Sequence, residues 1–141
     1  MSNIFYMDVK FRIVKDWNLL IQKYTGVFSY DPYFEHIKRV TNDPDWKYVD
    51  KIITDLRNID LEMFYKNMDY LIKYRNENIK KNYYNIFIVD APLSTAIMHL
   101  YKKKLNSLRY KYEYCSTLEF ALAELKMEDK KEKIKSILEN M

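Results

Sequence analysis

Asp55 and Asp90 each close an apolar run, Ile52-Ile53-Thr54-Asp55-Leu56-Arg57 and Ile86-Phe87-Ile88-Val89-Asp90-Ala91-Pro92. A carboxylate so placed can serve as a general acid or base or orient a ligand. Arg57, Asp60, Ser94 and Thr95 follow within a few residues and add a guanidinium, a third carboxylate and two hydroxyls. Continuous apolar runs that stop at a charge are the pattern of strands buried on both faces of a parallel sheet. On that reading all six groups gather at the carboxyl ends of the central strands, where open α/β sheets bind ligands. The carboxylates also have structural uses: Asp60 and Asp90 can accept from helix N-terminal amides, and Asp55 can pair with Arg57 or another base to fix a loop. Asp55, Arg57, Asp60, Asp90, Ser94 and Thr95 form the candidate ligand-binding set, and none is assigned as catalytic.

The chain lacks most of the parts that enzymes use. Gly26 is its only glycine, which cannot supply the glycine-rich loops that bring backbone amides onto phosphate. Two histidines, His36 and His99, and one cysteine, Cys115, offer no paired spacing for zinc or iron. His99 follows Ser94 by five residues on an expected helix, a rotation of about 500° that parts the two side chains in azimuth. Cys115 precedes a helix N-terminus, where a thiolate can be favoured, but without a nearby histidine it reads as a small buried hydrophobe. The expectation is a protein without enzymatic activity, cofactor or metal.

With 141 residues, 48% hydrophobic and 31% charged, the chain fits one folded domain. Residues 1 to 60 carry nine basic and nine acidic side chains, so the net charge of +4 lies wholly in residues 61 to 141. That mild excess falls short of the basic stripe of a nucleic-acid binder. The 14 tyrosines, with many Asn, Lys and Ile, fit an AT-rich codon bias better than a stacking surface. No apolar run approaches the ~20 residues of a membrane span, and Met1-Ser2-Asn3-Ile4-Phe5 lacks a signal-peptide pattern. The expected compartment is the cytoplasm.

Met7, Val9, Phe11 and Ile13 alternate with Asp8, Lys10 and Arg12, predicting a strand that a short break at Lys15 to Asn18 pairs antiparallel with a second, Leu19 to Tyr24. Gly26 then turns the chain out of the sheet, and Asp31-Pro32 opens a helix along Phe34, Ile37 and Val40. A strand ends at Asp55, and a helix capped by Asp60 carries Phe64, Met68, Leu71, Ile72 and Ile79. Tyr84 to Val89 forms the next strand, Pro92 opens the next helix, and Lys102, Lys103 and Lys104 complement that helix's C-terminal dipole. Tyr110, Tyr112 and Tyr114 mark an edge strand before a capping box at Ser116-Thr117-Leu118-Glu119. The order is ββαβαβαβα over residues 1–127, with a charged helical extension at 128–141 whose Ile134, Ile137, Leu138 and Met141 share one face.

Gly26-Val27-Phe28-Ser29, Asp43-Pro44-Asp45-Trp46, Ile53-Thr54-Asp55-Leu56-Arg57, Val89-Asp90-Ala91-Pro92 and Cys115-Ser116-Thr117-Leu118-Glu119-Phe120-Ala121-Leu122 together resemble the small bacterial STAS/Sec14-like (SpoIIAA-like) domains. The resemblance spans roughly residues 7 to 126 and implies a mixed sheet with an N-terminal hairpin and helices packed on it. STAS relatives that regulate anti-sigma factors use a phosphorylated serine after the Asp-ended strand. Here no Ser or Thr lies between Thr54 and Ser94, so that switch is not carried over. The expected function is a non-enzymatic interaction or regulatory domain that binds a protein partner or self-associates through the first-helix side or residues 128–141. The alternative is a carrier of a small apolar, lipid-like ligand.

Overall fold

Alternation of Val9, Phe11 and Ile13 with charged neighbours builds β1 (Asp8–Val14), and a 3-10 turn at Lys15–Trp17 returns the chain antiparallel as β2 (Leu19–Val27). Asn18 completes that turn at φ 53°, a left-handed conformation that asparagine tolerates. The structure, a computed structural model, describes residues 6–105 and 110–141. The N-terminal stretch Met1 to Phe5 and the side chain of Tyr110, both part of the expectations above, lie outside the described residues.

The chain continues through α1 (Tyr30–Thr41), β3 (Lys51–Asp60), α2 (Glu62–Lys66), α3 (Met68–Asn78), β4 (Tyr83–Ile88), α4 (Pro92–Lys104), β5 (Tyr110–Cys115), α5 (Leu118–Leu125) and α6 (Lys131–Glu139). The five strands lie in sequence order, β1 antiparallel to β2 and every later pair parallel. This is a mixed α/β fold with a mostly parallel sheet.

Strand residues alternate between two cores. Leu20, Ile52, Leu56 and Phe87 face the first, covered by Tyr33 and Ile37 of α1, Phe64 of α2, Leu71 of α3, and Met98 and Tyr101 of α4. Leu19, Ile21, Ile53, Ile86 and Ile88 face the second, covered by Leu118, Leu122 and Leu125 of α5 and by Ile134 and Leu138 of α6. The apolar face of residues 128–141 is therefore spent mainly on the protein's own sheet.

Several elements differ from expectation: β2 runs past Tyr24 to Val27, so Gly26 stands inside the strand opposite Ile59 and does not turn the chain out of the sheet. β3 does not stop at Asp55 but runs to Asp60, because after an irregularity at Lys23/Thr25 its second half stays paired to β2, Thr25 opposite Asn58 and Val27 opposite Asp60. The single helix expected after Asp60 is two helices broken at Asn67, which leaves helical geometry at φ −128° and ψ 30°.

Polar side chains cross the floor of the first core. Gln22 Nε2 donates to Thr54 Oγ1 at 2.9 Å, Thr54 Oγ1 donates to Asn85 Oδ1 at 2.8 Å, and His36 Nε2 lies 2.7 Å from Gln22 Oε1. The Gln22 carbonyl can only accept, so His36 carries its proton on Nε2. Its Nδ1 is buried without a hydrogen-bond partner. Beside this ladder the buried Arg75 of α3 donates to the hydroxyls of Tyr33 at 2.7 Å and of Tyr83, and Tyr83 shares a 2.9 Å bond with Tyr112.

Burial holds the His36 pKa down from its ordinary 6.5 to about 3, with the Arg39 and Arg75 charges adding to the effect. The unfolded chain then binds the extra proton, so the stabilisation is complete above about pH 6.5 and drains away as pH falls toward about 3. Between pH 7 and pH 5 the unfolding free energy should drop by about 2 kcal/mol from this group, measured by urea titration. His36→Gln, which keeps a donor for Gln22 without titrating, should flatten that slope.

Gly26 sits at φ +91°, and a Cβ there would lie 1.8 Å from the Tyr6 carbonyl oxygen. Gly26→Ala should destabilise the protein by about 2 kcal/mol or more, read from the same urea midpoints.

Candidate functional site

Asp55 points from β3 toward the second helical layer, opposite to its neighbour Thr54, and is 2% exposed. Arg57, two residues on and therefore on the same face, closes a fork on it: Nε donates to Oδ1 and Nη2 to Oδ2, both at 2.9 Å. The backbone N–H of Arg57 adds a third bond to Oδ1 at 3.1 Å. The hydrogen bonds from this fork raise the Arg57 pKa against the opposing effect of burial, and the charges of Asp55, Asp90 and Glu119 raise it further. The pair is a mutually neutralised unit, with the carboxylate inside and the guanidinium one-third exposed.

Around it lies a cleft of about 240 Å³ between the strand ends and the α5 and α6 helices, where Lys23, Thr117, Glu119 and Lys135 join the ion pair. Lys23 stands opposite Asp55 in the β2–β3 register and donates from Nζ to the Leu138 carbonyl at 3.2 Å, tying the sheet to α6. Thr117 caps α5 by accepting from the Phe120 N–H at 3.1 Å, so the cap falls one residue later than a box opened by Ser116. Glu119 pairs instead with Lys131 of α6 at 3.3 Å.

The other candidates are dispersed. Asp90 is exposed just beyond β4 and meets Arg57 through its charge. Asp60 accepts from the Glu62 N–H at 2.9 Å, a local turn that starts α2. Ser94 is buried on α4, the helix that packs on the first core, and Thr95 donates back to the Ala91 carbonyl at 2.8 Å. Asp55 and Arg57 are thus joined, Asp90 stands near them, Asp60 and Thr95 bond within the starts of their own helices, and Ser94 is buried on α4.

The remaining reactive side chains are similarly engaged. His99 Nδ1 lies 2.7 Å from the Tyr114 hydroxyl. The Cys115 thiol donates to the Thr117 carbonyl at 3.3 Å, and burial pushes its pKa up to about 11. Lys102 and Lys104 pair with Glu113 and Asp69, at 2.9 and 2.8 Å. Among the described residues no group of three or more His, Cys, Asp or Glu side chains is placed to hold a metal.

In the first core, Arg75, Gln22, Thr54 and Asn85 line a cavity with Phe64 and Tyr101. Its volume of about 30 Å³ is room for one or two waters. Lys23, Lys135 and Arg75 were not singled out from sequence. Lys23 had a signal, a charge inside a strand pattern, but no local pattern points to the other two.

No model of a known protein family matches the chain, and no curated protein matches it. No described helix is long and apolar enough to cross a membrane.

Removing Arg57 strands a buried carboxylate. Arg57→Ala should lower the unfolding free energy by about 2–3 kcal/mol. Asp55→Asn, which keeps an acceptor for the Arg57 amide, should cost about half as much by the same denaturation assay.

Proposed function

We propose that this protein is a non-enzymatic interaction domain that binds a protein partner, or a second copy of itself, at the carboxyl end of its sheet. The observation that carries the proposal is that Leu93 and Phe120 are 67% and 51% exposed in the first turns of α4 and α5. These helices open where β4 and β5 end, so large apolar side chains stand where an α/β sheet ordinarily receives its ligand. Exposed aromatic and aliphatic side chains match the make-up of interface centres, in which aromatic residues contribute strongly. Both carboxylate oxygens of Asp55 are taken up by Arg57, which argues against catalysis in this cleft.

The resemblance to STAS/Sec14-like domains supports a binding role, and a single cysteine, which can form no intramolecular disulfide, supports the cytoplasm as its compartment. With no hydroxyl between Thr54 and Ser94, the partner would be engaged without a phosphoserine switch in that stretch. The apolar-carrier alternative has no observation in its favour, since a lipid chain needs far more than the roughly 30 Å³ of the interior cavity.

The test compares the protein with the double variant Leu93→Ser and Phe120→Ser, in affinity capture from the source cells and in light scattering. Both side chains are exposed, so the variant should keep its circular dichroism and melting temperature. The expected result is loss of a stoichiometric partner or of a dimer. An unchanged partner set together with an unchanged solution mass would reject the proposal.

A further inference from the structure

Among the described residues β1 is an outer strand paired only with β2, so alternate N–H and C=O groups along Asp8–Val14 point away from the sheet. It forms the floor of a groove of about 570 Å³ whose walls come from both helical layers, Arg39 of α1 on one side and Ile137 of α6, with Met141 just beyond that helix, on the other. Val9 and Phe11 contribute half-buried apolar surface. Lys10, Arg12 and Arg39 contribute three cations, and no acidic side chain lines the groove. Among the described residues Arg12 and Arg39 make no ion pair, and Lys10 meets Asp8 only at 3.9 Å. Charges on an edge strand deter stray pairing, which accounts for Lys10 and Arg12. Deterrence does not require a third cation from α1, or apolar side chains from the α6 end, converging on the same strand.

We infer that the β1 edge receives an acidic, extended segment of a partner protein as an added outer strand. The segment is extended because the outward backbone groups of a strand are satisfied in register only by another strand. It is acidic because three cations line the groove, of which only Lys10 meets a carboxylate, that of Asp8 at 3.9 Å. Its alternate side chains fall to the two sides of the sheet, one set toward Arg39 and the other toward Lys10, Arg12 and the apolar end of α6. A second copy fits less well, since pairing β1 with β1 would bring two sets of these cations together. The groove shares no residue with the carboxyl-end cleft, so this inference and the function proposed above succeed or fail separately.

The probes are two hexapeptides, one alternating Glu with Val and one alternating Lys with Val, titrated into isotope-labelled full-length protein in about 50 mM NaCl, where screening is weak. The Glu peptide should bind saturably with a dissociation constant on the order of 100 μM. It should shift the β1 amides and slow hydrogen exchange at alternate residues of Asp8–Val14. Binding should weaken at least about tenfold in the variant Arg12→Glu with Arg39→Glu, and the Lys peptide should not bind. Both arginines are exposed, so the variant should fold, as circular dichroism will check. The inference is overturned if the Glu peptide does not bind, if both peptides bind alike, or if charge reversal leaves binding unchanged. It is equally overturned if a single-stranded oligothymidylate displaces the Glu peptide at lower concentration, which would make the groove a polyanion surface. A dimer in sedimentation that the double variant abolishes would make the occupant a second copy.

Discussion

The ladder Gln22–Thr54–Asn85 is the constraint on which the rest of the arrangement turns. Three polar side chains from three neighbouring strands satisfy one another on a sheet face otherwise covered by apolar groups. A strand slipped by one residue would bury these groups against Leu118 and Leu122 without partners, and each stranded group would cost about 1–3 kcal/mol. The ladder therefore fixes the mutual register of β2, β3 and β4. His36 extends it into α1, which sets that helix against the sheet as well.

Because Thr54 must face the first core, Asp55 must face the second. This places a carboxylate beside Ile88 and Leu118, where a lone charge would be costly. Arg57 returns to the same face two residues later and meets it with two side-chain hydrogen bonds. The fork needs β3 to remain a strand through Arg57, since only extended geometry puts both residues on one side. Neutralisation and strand length thus support each other, and the cleft beside them inherits a fixed guanidinium from a contact made for folding.

The parallel core was legible because Ile52-Ile53 and Ile86-Phe87-Ile88 are apolar on both faces, and the hairpin was legible because β1 alternates. The end of β3 was not, since a charge inside a strand normally signals exit and the compensating arginine is visible as a partner only once both lie on one side. The ladder was hidden for a related reason: Gln22, Thr54 and Asn85 are lone polar residues in three separate apolar runs, joined only by register. The break at Asn67 escaped because Phe64 and Met68 keep helical spacing across it. Of the tyrosines, whose abundance fits codon bias, Tyr33, Tyr83, Tyr101 and Tyr112 are interior, and the Tyr33 and Tyr83 hydroxyls take up the Arg75 guanidinium. Nothing in the local sequence around Arg75 distinguishes it from a surface arginine of an amphipathic helix. In the candidate site Arg57 was one candidate partner for Asp55 in a loop, and the strand makes it the actual one, whereas Lys23 and Lys135 reach the cleft through β2 and α6, elements remote in sequence.

Where the polar groups are spent decides which parts of the molecule remain available for binding. The interior uses its hydrogen-bonding capacity on itself, through the ladder and the phenols around Arg75, and leaves a cavity the size of one or two waters. The broad faces of the sheet are covered, by α1 to α4 on one side and by α5 and α6 on the other. Available surface is thereby confined to the margins of the sheet, where strand ends and the outer strand meet solvent. At the carboxyl margin the ion pair holds its guanidinium still, so a partner meeting Arg57 would not bear the full entropic cost of ordering a long side chain. At β1 the backbone itself is presented, and alternation makes the outer strand readable from both layers at once. With interior and faces this fully committed, the rims are what the fold leaves to solvent, exposed apolar side chains and a fixed ion pair at one margin and a cationic groove at the other, and the binding roles proposed above rest on them.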